Sequence, residues 1–106
     1  MSEPSGYIYL IACNSPLSVK IGYTRKDPRI RLQQLQTGCP SRLVLLGWFP
    51  GDRADELAYH AELAEHRLTG EWFAVNERSS PKLVNPLTIM RINNRVYGYE
   101  PEPVCI

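Results

Sequence analysis

The sequence is poor in cysteine and has no long apolar run, and each absence excludes a class of protein. Cys13, Cys39 and Cys105 are odd in number and widely separated. Their spacing fits neither a disulfide framework nor a paired-ligand zinc finger, which favours a reducing compartment. No stretch approaches the roughly 20 apolar residues of a membrane helix. The first residues lack the basic flank and apolar stretch of a signal peptide. We therefore expect a soluble, cytoplasmic protein with no membrane partner.

The length and composition predict one globular domain. The chain has 106 residues, of which 43% are hydrophobic and 22% are charged, and chains divide into domains only well above that length. The net charge of +1 hides an uneven distribution. Positions 20–42 hold six basic residues and one acid, whereas positions 52–78 hold seven acids and three arginines. This order suits a phosphate-binding segment beside a metal ligand, and it also suits two ordinary solvated helices.

The N-terminal region predicts an antiparallel hairpin. Residues 7–12 and 19–23 are rich in β-branched and aromatic residues, and the turn-forming residues 14–18 give a loop of five or six residues between them. Because side chains alternate along a strand, the two strands have an apolar face and a second face. The apolar face would carry Ile8, Leu10, Ala12, Val19, Ile21 and Tyr23, and the second face Tyr7, Tyr9, Lys20 and Gly22.

A short helix and a further strand are expected after the hairpin. Asp27 provides a capping carboxylate and Pro28 stands at the first helical position, so a helix over 29–36 is predicted. Gly38 and Pro40 would end it. Residues 43–49 are mostly apolar and bounded by turn residues. This run indicates a central strand buried on both faces.

The second helix is predicted over Arg53–Leu68 with two stripes of side chains. Its core stripe would be Leu57, Ala61, Ala64 and Leu68. Its second stripe would be Glu56, His60 and Arg67, about a quarter-turn away. A carboxylate, an imidazole and a guanidinium at the edge of a buried face make a plausible site.

The C-terminal region gives weaker patterns. Gly70 ends the second helix, and residues 71–73 are expected to be extended. Residues 76–86 predict a loop, 87–92 and 95–99 a second hairpin across Asn93-Asn94, and 100–106 a flexible tail. The extension 76–99 would complete the sheet of the domain 6–75 or form a dimer contact.

Four motifs in order resemble the GIY-YIG nuclease superfamily. They are Gly6-Tyr7-Ile8-Tyr9-Leu10-Ile11, Val19-Lys20-Ile21-Gly22-Tyr23-Thr24, a helix containing Arg31, and Glu56 to His60 followed by Gly70-Glu71-Trp72-Phe73. The last of these is similar to a branch common in phages and bacteria. The resemblance implies an α/β fold with a three-stranded, mostly antiparallel sheet flanked by helices. It also implies a DNA endonuclease that depends on Mg²⁺ or Mn²⁺.

The resemblance also implies roles for individual residues. Tyr9 would be the general base, Arg31 would hold the scissile phosphate, Glu56 would bind the metal, and His60 would assist. The superfamily usually has a tyrosine at the position of Lys20, so Lys20 would lower the pKa of Tyr9 or bind phosphate. Glu71 is an alternative metal ligand. The residues expected to contact nucleic acid are Gly22, Arg25, Lys26 and Arg29.

Two other readings compete with the nuclease. One is a DNA- or RNA-binding module that keeps the scaffold without cleavage, since Lys20 replaces a signature tyrosine. The other is a protein-interaction domain, which predicts no salt-dependent binding to nucleic acid. The sequence leaves open a monomer or a homodimer.

Overall fold

The protein folds as a five-stranded sheet with helices on both faces, in a computed structural model that describes residues 5–14 and 17–83. The elements in chain order are β1 (Gly6–Asn14), β2 (Leu17–Thr24), α1 (Pro28–Gln36), β3 (Leu43–Gly51), α2 (Arg53–Glu62), β4 (Arg67–Thr69) and β5 (Trp72–Ala74). A 3-10 turn, Ala64–His66, joins α2 to β4, and residues 80–83 are helical. The α/β class is confirmed, whereas the hairpin expected over 87–99 and the tail 100–106 lie outside the described residues.

The sheet is antiparallel throughout and has the order β3-β1-β2-β5-β4. The three strands expected from the sequence understate it. The strand that the sequence did not reveal is β4, because Arg67 and Leu68, its first two residues, were assigned to the end of the second helix. Gly70, at φ 54°, supplies the left-handed turn between β4 and β5.

The hairpin of β1 and β2 forms as expected, with a tighter connection. Its pairing runs from Tyr7 opposite Thr24 to Asn14 opposite Leu17, so the predicted loop of five or six residues was wrong. The residues at both ends of the predicted turn 14–18 pair as strand residues, and this pairing overrides their preference for a turn. The predicted faces are confirmed, since Leu10 lies opposite Ile21 and Tyr9 opposite Gly22.

Both faces of the sheet are packed. One face carries the cluster Ile8, Leu10, Val19, Ile21, Phe49, Leu63, Phe73 and Leu83, which α2 covers. The other carries the cluster Tyr9, Ile11, Cys13, Leu32, Leu43 and Leu45, which α1 covers. The second face of the hairpin is therefore part of the core, and any polar group on it is enclosed by apolar neighbours.

Helix α1 follows its sequence signals closely. The Asp27 carboxylate accepts a hydrogen bond from the backbone N–H of Arg29 at 2.9 Å, as a capping residue does. Leu32 is buried against the sheet and Arg29 is exposed. Gly38, at φ 80°, follows the end of the helix.

Strand β3 lies at the edge of the described sheet, so its predicted central position was wrong. Its residues alternate between more and less buried along the strand, a pattern typical of a strand that packs at alternate positions. Its pairing with β1 shifts between Leu10 and Ile11, which marks a β-bulge.

Helix α2 differs most from its expectation. It ends at Glu62, and its predicted core face points outward, since Leu57 is 55% exposed and Leu68, now in β4, is 49% exposed. The buried positions of the helix are Glu56 and His60. The apolar contact is made instead by Tyr59 and by Leu63, just beyond the helix end. Glu56 and His60, two members of the second predicted stripe, are thus the helix residues that face the sheet.

Candidate active site

Strand β2 runs past the end of its neighbour β5, and this offset creates the site. Pairing of β2 with β5 extends from Ser18 to Lys20, opposite Ala74 and Trp72. One residue further along, the Ile21 N–H donates to the Glu71 carbonyl at 3.3 Å. The Ile21 carbonyl has no strand opposite it and accepts a hydrogen bond from Nε2 of His60 at 2.7 Å. Side chains from both faces of the sheet can therefore meet where β5 begins.

Three potential metal ligands come together at this point. Glu56 and His60 lie one turn apart on α2, and Glu71 lies in the turn before β5. One donor atom from each lies within 4.8 Å of the others. Glu56 and Glu71, which the sequence analysis treated as alternatives, are neighbours in the structure.

Glu56 is buried without a matching set of partners. Its residue is 1% exposed, and its Oε1 atom has no hydrogen-bond partner among the described residues. The exposed Arg53 forms an ion pair with this carboxylate, with its Nε atom 3.5 Å from that oxygen. Burial raises the pKa of Glu56, and the negative charge of Glu71 raises it further. A nearby positive charge would oppose both effects.

Glu71 titrates in the opposite direction. Burial opposes its ionisation, but the hydrogen bond and charge of Lys20 outweigh burial and hold the pKa of Glu71 below its usual value. The Lys20 ammonium donates to Oε1 of Glu71 at 2.8 Å and lies 5.9 Å from the Trp72 ring centroid. The pKa values of the two neighbouring carboxyl groups are thus shifted apart, that of Glu56 upward and that of Glu71 downward.

Tyr9 and Arg31 form the other half of the site, on the face covered by α1. Tyr9 is 1% exposed, and the Arg31 side chain acts on the pKa of its hydroxyl. Burial raises the pKa of Tyr9. Arg31 lowers it, and Glu71 and Glu56 raise it again. The cation expected beside Tyr9 was Lys20, but Lys20 is engaged with Glu71 and the cation that acts on the phenol is Arg31.

Gly22 makes room for the Tyr9 ring. A Cβ atom at this position would fall 2.3 Å from the Tyr9 hydroxyl oxygen, well inside van der Waals contact. The group that approaches Gly22 closely is thus a side chain of the neighbouring strand, and the contact with nucleic acid expected at Gly22 stays a prediction. Gly22 is itself buried.

The basic residues expected to contact nucleic acid lie near this end of the sheet. Arg25 and Lys26 are exposed and follow directly after β2. Arg29 is paired with Asp27, with Nη2 and Oδ2 2.6 Å apart, and its guanidinium lies 5.8 Å from the Trp48 ring centroid. Their contact with nucleic acid stays a prediction.

The comparison with protein families gives one match. The model of the T5orf172 domain matches residues 6–87, which is most of the chain. The chain belongs to the T5orf172 domain family. No curated protein and no solved structure matches it.

The assignment to the GIY-YIG superfamily was wrong, because the T5orf172 domain is a different family and no GIY-YIG match is found. The misleading motifs have simple structural causes. The two hairpin motifs arise because side chains alternate along paired strands and a glycine makes room for an aromatic ring on the neighbouring strand. The helix motif arises because Asp27 and Pro28 begin a capped helix. Short motifs of this kind do not separate families. The T5orf172 match also continues past Val75, where the motif resemblance ended.

T5orf172 domains are phage-associated, and a role with nucleic acid is compatible with the family. Among the described residues of this T5orf172 domain, no helix has the length and apolar character needed to cross a membrane.

The donor set of this T5orf172 domain fits a divalent cation. Carboxylate oxygens suit Mg²⁺ and Mn²⁺, and imidazole suits the transition metals. The buried oxygen of Glu56, which has no hydrogen-bond partner among the described residues, and the nearness of the two carboxyl groups are the features that a cation would satisfy. Sequence reasoning had placed Glu56 and His60 together on one helix stripe and had treated Glu71 as an alternative to Glu56, so it missed that Glu71 joins them. It also missed Arg53, although its position three residues before Glu56 on a helix was a usable signal.

Proposed function

We propose that this protein is a divalent-metal-dependent endonuclease that hydrolyses phosphodiester bonds in DNA. The observation that carries the proposal is the approach of two sets of groups where β5 begins. One set is Tyr9 and Arg31, which acts on the pKa of Tyr9, and the other is Glu56, His60 and Glu71. Both Glu56 and Glu71 act electrostatically on Tyr9, which links the two sets.

The reaction needs a nucleophile, charge stabilisation and a stabilised leaving oxygen. The water oxygen forms a bond to phosphorus while the bond from phosphorus to the leaving oxygen breaks. Tyr9 accepts the proton of the water, and the leaving oxygen takes a proton from solvent. A cation held by Glu56 and Glu71 would supply positive charge to the phosphoryl and leaving oxygens.

Arg31 and Lys20 have separate duties in this proposal. Arg31 holds a phosphoryl oxygen and also favours the ionised form of Tyr9 through its hydrogen bond and its charge. Lys20 acts through Glu71, which it keeps ionised and fixes in position. Because burial raises the pKa of Tyr9, the phenolate is scarce near neutral pH, and the rate of cleavage should rise with pH.

A plasmid-nicking assay tests the proposal. Supercoiled DNA is incubated with the wild type, Glu56→Gln or Glu62→Gln, in the presence of Mg²⁺, Mn²⁺ or a chelator. Glu62 is exposed on the same helix and serves as the matched control. We expect the Glu56 variant to lose on the order of 100-fold or more in rate, as when a charge-stabilising group is removed. Nicking that survives both the chelator and the Glu56 substitution would reject the proposal.

A second candidate is a nucleic-acid-binding module that does not cleave. The raised pKa of Tyr9 favours it, because a protonated phenol is a poor base. This alternative predicts DNA binding that weakens steeply with salt concentration, with no nicking by any divalent cation. Absence of both binding and nicking would point to a protein-interaction domain.

A further inference from the structure

We propose that His60 is a direct metal ligand, so that the site is a Glu56–His60–Glu71 centre which selects Mn²⁺ over Mg²⁺. This inference rests on the proposed function for the existence of a metal and goes beyond it in naming the third donor and the selectivity. It gives a defined role to His60, which the sequence analysis expected only to assist the reaction.

The hydrogen bond of His60 determines which nitrogen is free. A carbonyl oxygen accepts and cannot donate, so Nε2 must carry the hydrogen in its 2.7 Å contact with the Ile21 carbonyl. In the neutral imidazole the lone pair is then on Nδ1. Metal-binding histidines are typically held in this way, with the other ring nitrogen donating to a backbone carbonyl or a carboxylate.

The packing around His60 fixes the ring as well as the tautomer. The residue is 8% exposed, and its ring centroid lies 5.2 Å from that of Phe73. A ring that is buried, stacked and hydrogen-bonded loses little conformational entropy when its remaining nitrogen binds a ligand. His60 is therefore preorganised, with Nε2 engaged by a backbone carbonyl and Nδ1 left to bind a ligand.

The spacing of the three donors suits one ion. Ligands bound at about 2.1 Å lie at most about 4.2 Å from one another. One carboxylate oxygen each of Glu56 and Glu71 and one ring nitrogen of His60 lie within 4.8 Å of one another. Since Nε2 is engaged with the Ile21 carbonyl, Nδ1 is the nitrogen left to bind the ion. The unpartnered and buried Oε1 of Glu56 is an independent indication, since a buried carboxylate oxygen without a hydrogen-bond donor is rare in folded proteins.

The donor chemistry predicts the metal. Mg²⁺ favours oxygen ligands and keeps several waters. A nitrogen donor raises the affinity for first-row transition metals, and Mn²⁺ is the one among them that such a site binds most weakly. A preference for Mn²⁺ over Mg²⁺ is therefore a stringent test of the nitrogen ligand.

The test measures metal binding directly, without reference to cleavage. The dissociation constants of Mn²⁺ and Mg²⁺ are measured by calorimetry for the wild type, His60→Gln and His66→Gln. His66 is a matched control, because it is the other histidine of the chain and is also buried, at 7% exposed. We expect the wild type to bind Mn²⁺ on the order of tenfold more tightly than Mg²⁺, and His60→Gln to lose most of that preference. His66→Gln should keep it.

Two outcomes would overturn the inference. One is a wild type that binds both ions equally, a result that does not depend on the folding of any variant. The other is a folded His60→Gln protein, checked by circular dichroism, that retains the full preference for Mn²⁺. If Mn²⁺ preference is found without DNA cleavage, the proposed function fails alone. If DNA is cleaved with no role of His60 in metal binding, this inference fails alone.

Discussion

The two helices pack on opposite faces of one sheet and obey opposite rules. Helix α1 buries Leu32 and exposes Arg29, as its sequence predicts. Helix α2 buries Glu56 and His60 and exposes Leu57. Burial of a carboxylate costs free energy unless it is paired. Helix α2 is therefore the one whose packing costs free energy. The cluster of two carboxyl groups and an imidazole at this helix is the feature that would account for that cost.

The contrast indicates where hydrophobic patterning fails. Patterning assumes that the most apolar stripe of a helix faces the core. In α2 the leucine stripe faces outward, and a different set of residues contacts the sheet. His60 donates to the Ile21 carbonyl, and Tyr59 packs edge-on against Phe49, with ring centroids 6.2 Å apart. Local rules of this kind are expected to fail at functional sites.

The largest expected effect compares two tyrosines, one on each face, of which Tyr9 is buried and Tyr59 is half-buried. Tyr9→Phe removes the proposed base beneath α1, and cleavage should fall by about 10²- to 10⁴-fold. Tyr59→Phe removes a hydroxyl whose pKa is also raised by burial, beside α2, and cleavage should stay within about twofold of the wild type. Nicking rates between pH 6 and 9 provide the measurement. Equal losses in the two variants would contradict the assignment of Tyr9.

An intermediate effect concerns the free energy of unfolding of Glu56→Gln. Because burial raises the folded-state pKa of Glu56, the stability linked to this group is fully present below its ordinary pKa of 4.5 and is lost as pH rises through the folded-state value. Gln mimics the protonated acid at every pH. The variant should therefore gain stability relative to the wild type as pH rises, by about 1.4 kcal/mol for each unit of pKa elevation.

Urea unfolding in the presence of a chelator, from pH 4 to 8, measures this difference. The exposed Glu62→Gln variant should follow the wild type over the whole range. Glu71 acts in the opposite direction, since its lowered pKa gives stability that is lost as pH falls. Parallel curves for Glu56→Gln and wild type would mean that Glu56 is ionised without penalty.

The smallest expected effect tests the rotation of α2 itself. Leu57→Ala removes an exposed side chain, so the free energy of unfolding should change by no more than about 0.5 kcal/mol. Leu63→Ala, at a residue 1% exposed, should cost about 2 to 5 kcal/mol. Thermal or urea unfolding distinguishes the two. A large loss for Leu57→Ala would show that the helix packs by its leucine stripe after all.

Much of the fold was predictable because its signals are local. The cap at Asp27, the end of α1 near Gly38 and the alternation of β1 and β2 follow from rules that act over a few residues. The edge position of β3 and the existence of β4 were not predictable in this way. They depend on which strands find partners, which is settled by contacts between distant parts of the chain.

The sequence by itself determined which residues could do chemistry, since Tyr9, Arg31, Glu56, His60 and Glu71 all stand out by type and position. Only the tertiary structure decided how they associate. Strand β5 begins only at Trp72 and so leaves the side of β2 open beyond it, and the orientation of α2 turns its acid and imidazole toward that opening. Partnership between groups distant in sequence is a property of packing, because it arises from the free energy of the whole core and from no single segment of the chain.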